Sequence, residues 1–228
     1  LPFSYEIVRP FRPQIIKVIY CSKTGYRPIY DVLNLNGFHL KSQNKWITEL
    51  NLQDNFGWKF VFDLPFYLTK ASKLQWFQFK IVHRIFGTNH LSKMELKEND
   101  YCSFCNQYPE TIAHLFWECT HVDIFWRSLK TWLTNDFNNE VFCNLSKIEI
   151  ILGNRRTQKD SSIITLLAKQ YIFKRKMKHF IPPIEPFKLH LRAYILSERC
   201  HALIMSGTFD KFFQTWKSFL VFWRSEQP

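Results

Sequence analysis

The amino-acid sequence predicts a mainly α-helical fold whose helices are arranged irregularly. Apolar residues recur every three or four positions in several separate segments, which is the spacing of helices with one buried face. Only 6 of the 228 residues are glycine, so neither a turn-rich barrel nor a nucleotide-binding fold built on a glycine-rich loop is expected. Hydrophobic residues make up 46% of the chain and aromatic residues 18%, which is sufficient for a buried core.

Residues 1–40 are predicted to form an extended lead-in without a chemical role. Short helices are expected to begin near Lys45, and Phe56, Gly57 and Trp58 are expected to separate two of them. The lead-in is predicted because prolines interrupt helical periodicity there, at Pro2, Pro10, Pro13 and Pro28.

An amphipathic helix with a basic edge is predicted for residues 73–85. The apolar residues that recur at helical spacing in this segment are Leu74, Phe77, Ile81 and Ile85. A neighbouring stripe of the same helix carries three cations, Lys73, Lys80 and Arg84. This arrangement indicates one face toward a core and a charged edge beside it.

Five further helices are predicted after residue 100. The first begins near Pro109, since proline suits the first turn of a helix, and it carries His114. The third runs into a basic segment and ends near the pair Pro182-Pro183, because proline cannot continue a helix. The apolar stripes of the second, third, fourth and fifth of these helices span residues 122–132, 163–171, 187–195 and 212–223, respectively.

Three cysteines and one histidine lie within 18 residues in the pattern Cys102-x2-Cys105-x8-His114-x4-Cys119. A Cys-x2-Cys turn presents two thiolates on one side of a tight loop, and the later histidine and cysteine complete a tetrahedral zinc site. Since four protein ligands leave no position for water, the predicted Zn²⁺ is structural and not hydrolytic. The predicted fold is therefore an irregular helical domain with a small Cys-Cys-His-Cys zinc module.

Two alternatives to this ligand set remain open at the level of sequence. His121 lies two residues after Cys119 and is a rival nitrogen ligand, although the four-residue spacer before Cys119 favours His114. The second alternative is that the four side chains bind no metal and are ordinary buried thiols and a core histidine. A disulfide framework is not favoured because the remaining cysteines are scattered, at Cys21, Cys143 and Cys200.

The formal net charge of +12 predicts a polyanionic partner, RNA or DNA. Residues 1–149 contribute +3, residues 150–192 contribute +8 and residues 193–228 contribute +1. A membrane partner is not expected, because no apolar run approaches the roughly 18 residues that span a bilayer. The sequence start lacks a signal-peptide pattern, so an intracellular location, nuclear or cytoplasmic and not secreted, is expected. A small-molecule substrate is not expected.

Ten cations are predicted to contact nucleic acid, mainly at the phosphates, which gives affinity without sequence choice. Tyr171 and Phe173 lie among them and offer rings for stacking on unpaired bases, although each ring is individually more typical of a core. The alternative for the cations is a solvated helix face. The predicted contacts are Lys73, Lys80, Arg84, Arg155, Arg156, Lys169, Lys174, Arg175, Lys176 and Lys178.

Several segments resemble LINE-type (non-LTR) retrotransposon reverse transcriptases. Residues 73–84, KLQWFQFKIVHR, followed by Thr88-Asn89 and Leu91, resemble the region before that family's zinc motif. Residues 102–105 and 110–119, CSFC and ETIAHLFWEC, with Phe125-Trp126, resemble its zinc-binding region. The resemblance covers residues 40–200, is most specific over 73–126, and extends to Lys45-Trp46, Ile151-Leu152-Gly153 and residues 168–172, AKQYI.

The resemblance implies that the chain is the C-terminal part of a polyprotein whose endonuclease and polymerase lie upstream. It implies a zinc-knuckle segment of a transposable element that holds template RNA or target DNA near the polymerase region. The sequence lacks a paired-aspartate polymerase motif, so no catalytic residue and no enzymatic activity are expected. The predicted division is 1–40, lead-in; 41–135, helices with the zinc motif at 102–119; and 136–228, a basic helical region.

A purely structural or interaction domain is the alternative to nucleic-acid binding. The predicted last helix is rich in aromatic residues, and a helix that is apolar on most sides requires cover. In this interpretation the chain docks on the polymerase core or another protein. The aromatic residues concerned are Phe212, Trp216, Phe219, Phe222 and Trp223.

Overall fold

The structure of the protein is a computed structural model that describes residues 41–53, 55–89, 100–137, 145–153, 159–205 and 207–225. The predicted lead-in and the predicted contacts Arg155 and Arg156 lie outside these residues. Within the described part, most residues are helical and no strand occurs, which confirms the prediction of a mainly helical fold. None of the described helices is both long and apolar enough to cross a bilayer.

The described part contains eight α-helices and a π-helical turn at His114–Glu118, directly before α4. In chain order the α-helices are α1 (Lys41–Leu50), α2 (Trp58–Leu68), α3 (Ser72–Val82), α4 (Thr120–Phe137), α5 (Lys147–Leu152), α6 (Lys159–Lys176), α7 (Ile184–Ile204) and α8 (Phe209–Ser225).

The chain divides into two compact units, Leu1–Leu52 and Gln53–Pro228. The described part of the first unit is α1 with the turn after it. Gln43, Trp46 and Leu50 are buried at helical spacing on α1. All other described helices belong to the second unit, which also holds the cysteine motif.

Helix α6 lies at the centre of the second unit. Helices α2, α3, α7 and α8 all contact it. Residues 163, 164, 166, 167 and 168 of α6 are all buried hydrophobics, so this part of the helix has no solvent-facing side. A segment that the sequence predicted to carry the basic charge is therefore also the main element of the core.

Helix α6 ends shortly before the proline pair Pro182-Pro183, and α7 begins directly after it. Helix α6 ends at Lys176, α7 begins at Ile184, and Pro183 occupies the N-cap position of α7 in an extended conformation. The hydroxyl of Tyr171 donates a hydrogen bond of 2.9 Å to the carbonyl oxygen of Pro183. This bond fixes the connection against the side of α6.

Two sequence interpretations differ from the structure. Pro109 does not start a helix; it forms a bridge with Tyr101, and helical residues begin at Ile112. Residues 135 and 136, on either side of a predicted division, both lie in α4, and α4 packs on α7 and α8. Helices from the two predicted regions thus share one core within the second unit.

Candidate metal centre and basic surface

The side chains of Cys102, Cys105, His114 and Cys119 converge, as the sequence predicted, into a group that could hold a metal ion. Their ligand atoms all lie within 4.8 Å of one another. Cys102 Sγ lies 3.8 Å from Cys119 Sγ, and Cys105 Sγ lies 3.4 Å from His114 Nε2. In the described part of the chain, His114 belongs to this group and the rival His121 does not.

Two of these separations agree with ligands around one tetrahedral Zn²⁺ ion. Bond lengths of about 2.3 Å to sulfur and about 2.0–2.1 Å to nitrogen place two sulfurs about 3.8 Å apart and a sulfur and a nitrogen about 3.5 Å apart. The sulfur–sulfur and sulfur–nitrogen distances in the structure match both values within about 0.1 Å. Nε2 is therefore the nitrogen of His114 that would coordinate an ion held by this group.

A short hairpin presents the first two cysteines. The backbone N–H of Cys102 donates to the Tyr108 carbonyl at 2.8 Å, and the N–H of Asn106 donates to the Cys102 carbonyl at 2.9 Å. Asn106 has a φ of +53°, in the left-handed region that asparagine tolerates best after glycine. The N–H of Phe104 donates to Cys102 Sγ at 3.4 Å, a contact that by itself lowers the pKa of this thiol.

The π-helical turn explains how the side chains of His114 and Cys119 reach the same candidate ligand group. The N–H of Cys119 donates to the His114 carbonyl at 3.0 Å, an i to i+5 bond. In an α-helix, residues five apart point about 140° away from each other, because each residue turns the helix by about 100°. The wider turn instead brings these two side chains to one side. The sequence spacing predicted the ligands but not this turn.

The first turn of α4 adds electrostatic support to the fourth ligand. The pKa of Cys119 is lowered because the Cys102 side chain donates a hydrogen bond to its sulfur and the backbone N–H groups of His121 and Val122 do the same. The Cys119 hydrogen bond and burial raise the pKa of Cys102 to about 12. Burial lowers the pKa of His114, but contacts with Cys102 and Cys105 outweigh it and give a net increase. Metal binding would release the protons that these groups share.

A fully buried carboxylate, Glu110, joins the hairpin to the rest of the second unit. Its Oε2 accepts the backbone N–H of Ser103 at 2.9 Å, and its Oε1 accepts the N–H of Asn89, also at 2.9 Å. Lys176 Nζ lies 2.6 Å from the same Oε1 and donates to the Gly87 carbonyl at 3.0 Å. The last residue of α6 is thereby bound to the turn that carries two cysteines.

Two further carboxylates near the cysteine motif in the sequence pair with exposed or half-exposed cations. Glu118 lies 2.5 Å from Lys147 Nζ, and Asp123 lies 2.9 Å from Arg127. These pairs are ordinary helix-surface contacts.

The structure corrects the sequence assignment of Lys169 and Lys176 as phosphate contacts. Lys169 is buried in the core, where Nζ donates to Gln78 Oε1 at 2.6 Å and to the Ile151 carbonyl at 3.1 Å. Lys176 is buried beside Glu110. Neither ammonium group is available to a phosphate, because each is enclosed by the fold and bonded within it.

The buried position of Lys169 has an electrostatic consequence. Burial lowers its pKa from the ordinary value of 10.5 to about 7. Its bonded partners, an amide and a carbonyl, are uncharged, so no carboxylate offsets the cost of removing the ammonium group from water. Gln78 also donates to the Ile151 carbonyl at 3.0 Å, and the three groups connect α3, α5 and α6.

The remaining predicted contacts in the described part lie on two helices and the residues that follow them. Lys73, Lys80 and Arg84 lie on or directly after α3, with Lys73 exposed and the other two half-buried. The second set lies at the end of α6 and just beyond, where Lys174 and Lys178 are exposed and Arg175 is half-buried. Arg175 donates to the Ile181 carbonyl from Nε and Nη2, both at 3.3 Å.

The two aromatic residues considered for base stacking lie on α6 close to its basic end, but their rings pack against other residues of the second unit. Tyr171 is buried in the core, and the half-buried Phe173 lies against Phe86, with the ring centroids 4.5 Å apart. Both rings therefore pack inside the second unit.

A search for relatives found that no protein-family model, no curated protein and no solved structure matches this chain.

Proposed function

We propose that the chain is a zinc-stabilised nucleic-acid-binding segment of the C-terminal part of a non-LTR retrotransposon reverse transcriptase. In this proposal it holds template RNA or target DNA and has no catalytic activity of its own. The single observation that carries the binding role is the contact between Glu110 and Lys176. It fastens the end of α6, beside the exposed Lys174 and Lys178, to the cysteine hairpin.

Zinc is the metal that this donor set fits best. Three thiolates and one imidazole are ligands that a tetrahedral Zn²⁺ ion accepts in structural sites, and all four positions are filled by the protein. Bound zinc would neutralise the thiolates and hold the hairpin closed. The role of the metal is therefore to keep the hairpin and the end of α6 in one arrangement.

The basic end of α6 would act through phosphate neutralisation. Lys174 and Lys178 are exposed, and the sequence around them, residues 150–192, carries a net charge of +8. Release of counterions from the nucleic acid then supplies the affinity, which falls as salt rises. Contacts of this kind fix position on the strand without reading its bases.

Fluorescence anisotropy with single-stranded RNA and DNA at several salt concentrations tests this role. The zinc-loaded chain is expected to show a steep linear decrease of log affinity with log salt. The variant Lys174→Gln/Lys178→Gln should lose about 0.7 per lysine from the slope. The control Lys211→Gln/Lys217→Gln removes two exposed charges from α8 and should leave the slope close to that of the unmodified chain. Binding that is absent or independent of salt would refute the proposal.

An interaction domain remains the second candidate, and one observation on α7 favours it. Leu189, Leu196 and Leu203 are seven residues apart, lie on one face, and are 69%, 44% and 62% exposed. The aromatic face of α8 no longer supports this candidate, since Phe212 and Trp216 are buried. The proposed occupant is an apolar segment of the polymerase region, to be tested by calorimetric titration with that region. A Leu196→Glu variant should then bind at least about tenfold more weakly.

A further inference from the structure

Six aromatic rings form a continuous row along α2, α3 and the turns beside them. Neighbouring ring centroids are between 4.0 and 6.1 Å apart. None of the six belongs to the fully buried core, and all are half-buried or exposed. From one end to the other, the row consists of Phe56, Trp58, Phe62, His83, Phe79 and Trp76.

The exposed end of the row is supported by a neighbouring ring. Trp76 is 54% exposed, although an indole ring is among the side chains that are usually well covered. It stacks on Phe79, with the centroids 4.9 Å apart and an angle of 9° between the planes. Phe79 in turn lies 4.0 Å from His83. A large flat surface is therefore positioned in solvent before any ligand arrives.

The segment that contains the row is rich in positively charged residues. Residues 55–89 contain five basic side chains and only Asp63 as an acid. Lys80 Nζ lies 5.5 Å from the centroid of the Trp76 ring. Burial lowers the pKa of His83, so this ring contributes to the row mainly as a neutral aromatic surface at pH 7. The basic side chains are Lys59, Lys70, Lys73, Lys80 and Arg84.

We infer that this row is a stacking platform for unpaired bases of single-stranded nucleic acid, with Trp76 as its outermost ring and Lys80 beside it for the phosphates. The combination of exposed rings and excess cations is what single-strand sites use, since every base has a face that stacks on an aromatic ring. The charge of this segment favours a polyanion over an apolar protein surface. The inference rests on the proposed nucleic-acid binding and adds a second, base-dependent contact to it.

Two strands with the same number of phosphates separate base stacking from backbone contact. One is oligothymidylate, and the other is an abasic strand of equal length. The full chain, loaded with zinc, is expected to bind the thymidine strand about tenfold or more tightly. Trp76→Ala should reduce this ratio to about two, whereas Trp76→Phe, which keeps a ring, should retain most of it.

The control Phe213→Ala removes an exposed ring from α8 and should leave the ratio unchanged. Equal affinity of the unmodified chain for both strands would overturn the platform and leave the phosphate contacts of the proposed function intact. The platform is also overturned if Trp76→Ala keeps the ratio or if Phe213→Ala loses it equally. Absence of binding to either strand would refute the proposed function itself.

Discussion

Glu110 and Lys176 form a buried ion pair, 2.6 Å from oxygen to nitrogen, between the cysteine hairpin and the end of α6. The side chain of Glu110 is fully buried and that of Lys176 is 6% exposed. Two backbone N–H groups and one backbone carbonyl complete the bonds of the pair. Both charges are therefore paired and hydrogen-bonded inside the fold. Removing one of them leaves the other buried without its counter-charge.

Loss of one member of this pair should destabilise the protein strongly. Lys176→Met leaves the Glu110 carboxylate buried without its cation, which costs about 3–5 kcal/mol of unfolding free energy. Chemical denaturation of the zinc-loaded protein measures this change. The matched control is Lys147→Met, which removes a half-exposed pair with Glu118 and should cost about 0–1 kcal/mol. Similar costs for both variants would contradict a structural role for the buried pair.

Removal of both members should be less harmful than the single change suggests. In Glu110→Gln/Lys176→Met no charge is left buried, and the amide oxygen still accepts one of the two backbone N–H groups that the two carboxylate oxygens accept in the unmodified chain. The double variant should therefore be more stable than Lys176→Met alone. A double-mutant cycle provides the measurement, and strictly additive costs would show that the two side chains do not act as a pair.

The buried Lys169 should make stability depend on pH. Its pKa is about 7 in the folded state and 10.5 in the unfolded state, so between these values the unfolded chain binds one more proton. Stability then rises with pH by at most about 1.4 kcal/mol per unit from pH 7 upward. Below pH 7 both states are protonated and this contribution is constant.

The variant Lys169→Met isolates the effect. The unfolding free energy of the unmodified chain minus that of this variant should increase as the pH rises from 7 to 9. Other titrating groups are common to both proteins and cancel in the difference. A difference that stays flat over this range would mean that Lys169 remains charged in the folded state.

The sequence predicted the local parts of this structure and missed the parts that depend on distant contacts. The four candidate metal ligands lie within 18 residues, so their spacing alone indicated a shared ion. Lys169 and Gln78 are 91 residues apart, and Lys176 bonds a carbonyl 89 residues away. A lysine in a basic run resembles a surface residue until the packing around α6 is known, because charge pattern does not report which helix lies at the centre.

Gly153 should resist substitution for two reasons. Its φ of +100° is rarely adopted by other residues, and an added Cβ would overlap the side chain of Leu64. Gly153→Ala is therefore expected to cost about 1–3 kcal/mol. The control Gly87→Ala has open space around the new Cβ and should change stability by less than about 0.5 kcal/mol. Thermal or chemical unfolding of both variants measures the two losses of stability. Equal losses would contradict the prediction.

The metal ligand set can be tested by replacing each of the two candidate histidines in turn. His114→Gln should lose the ion, since Nε2 lies 3.4 Å from Cys105 Sγ and belongs to the ligand group. His121→Gln should keep about one zinc per chain, because His121 supports Cys119 through its backbone N–H and not through its ring. Native mass spectrometry measures the stoichiometry, and Cys105→Ser provides a reference for loss of a ligand. Retention of zinc by His114→Gln together with its loss in His121→Gln would exchange the two assignments, since a tetrahedral site with three thiolates requires one nitrogen.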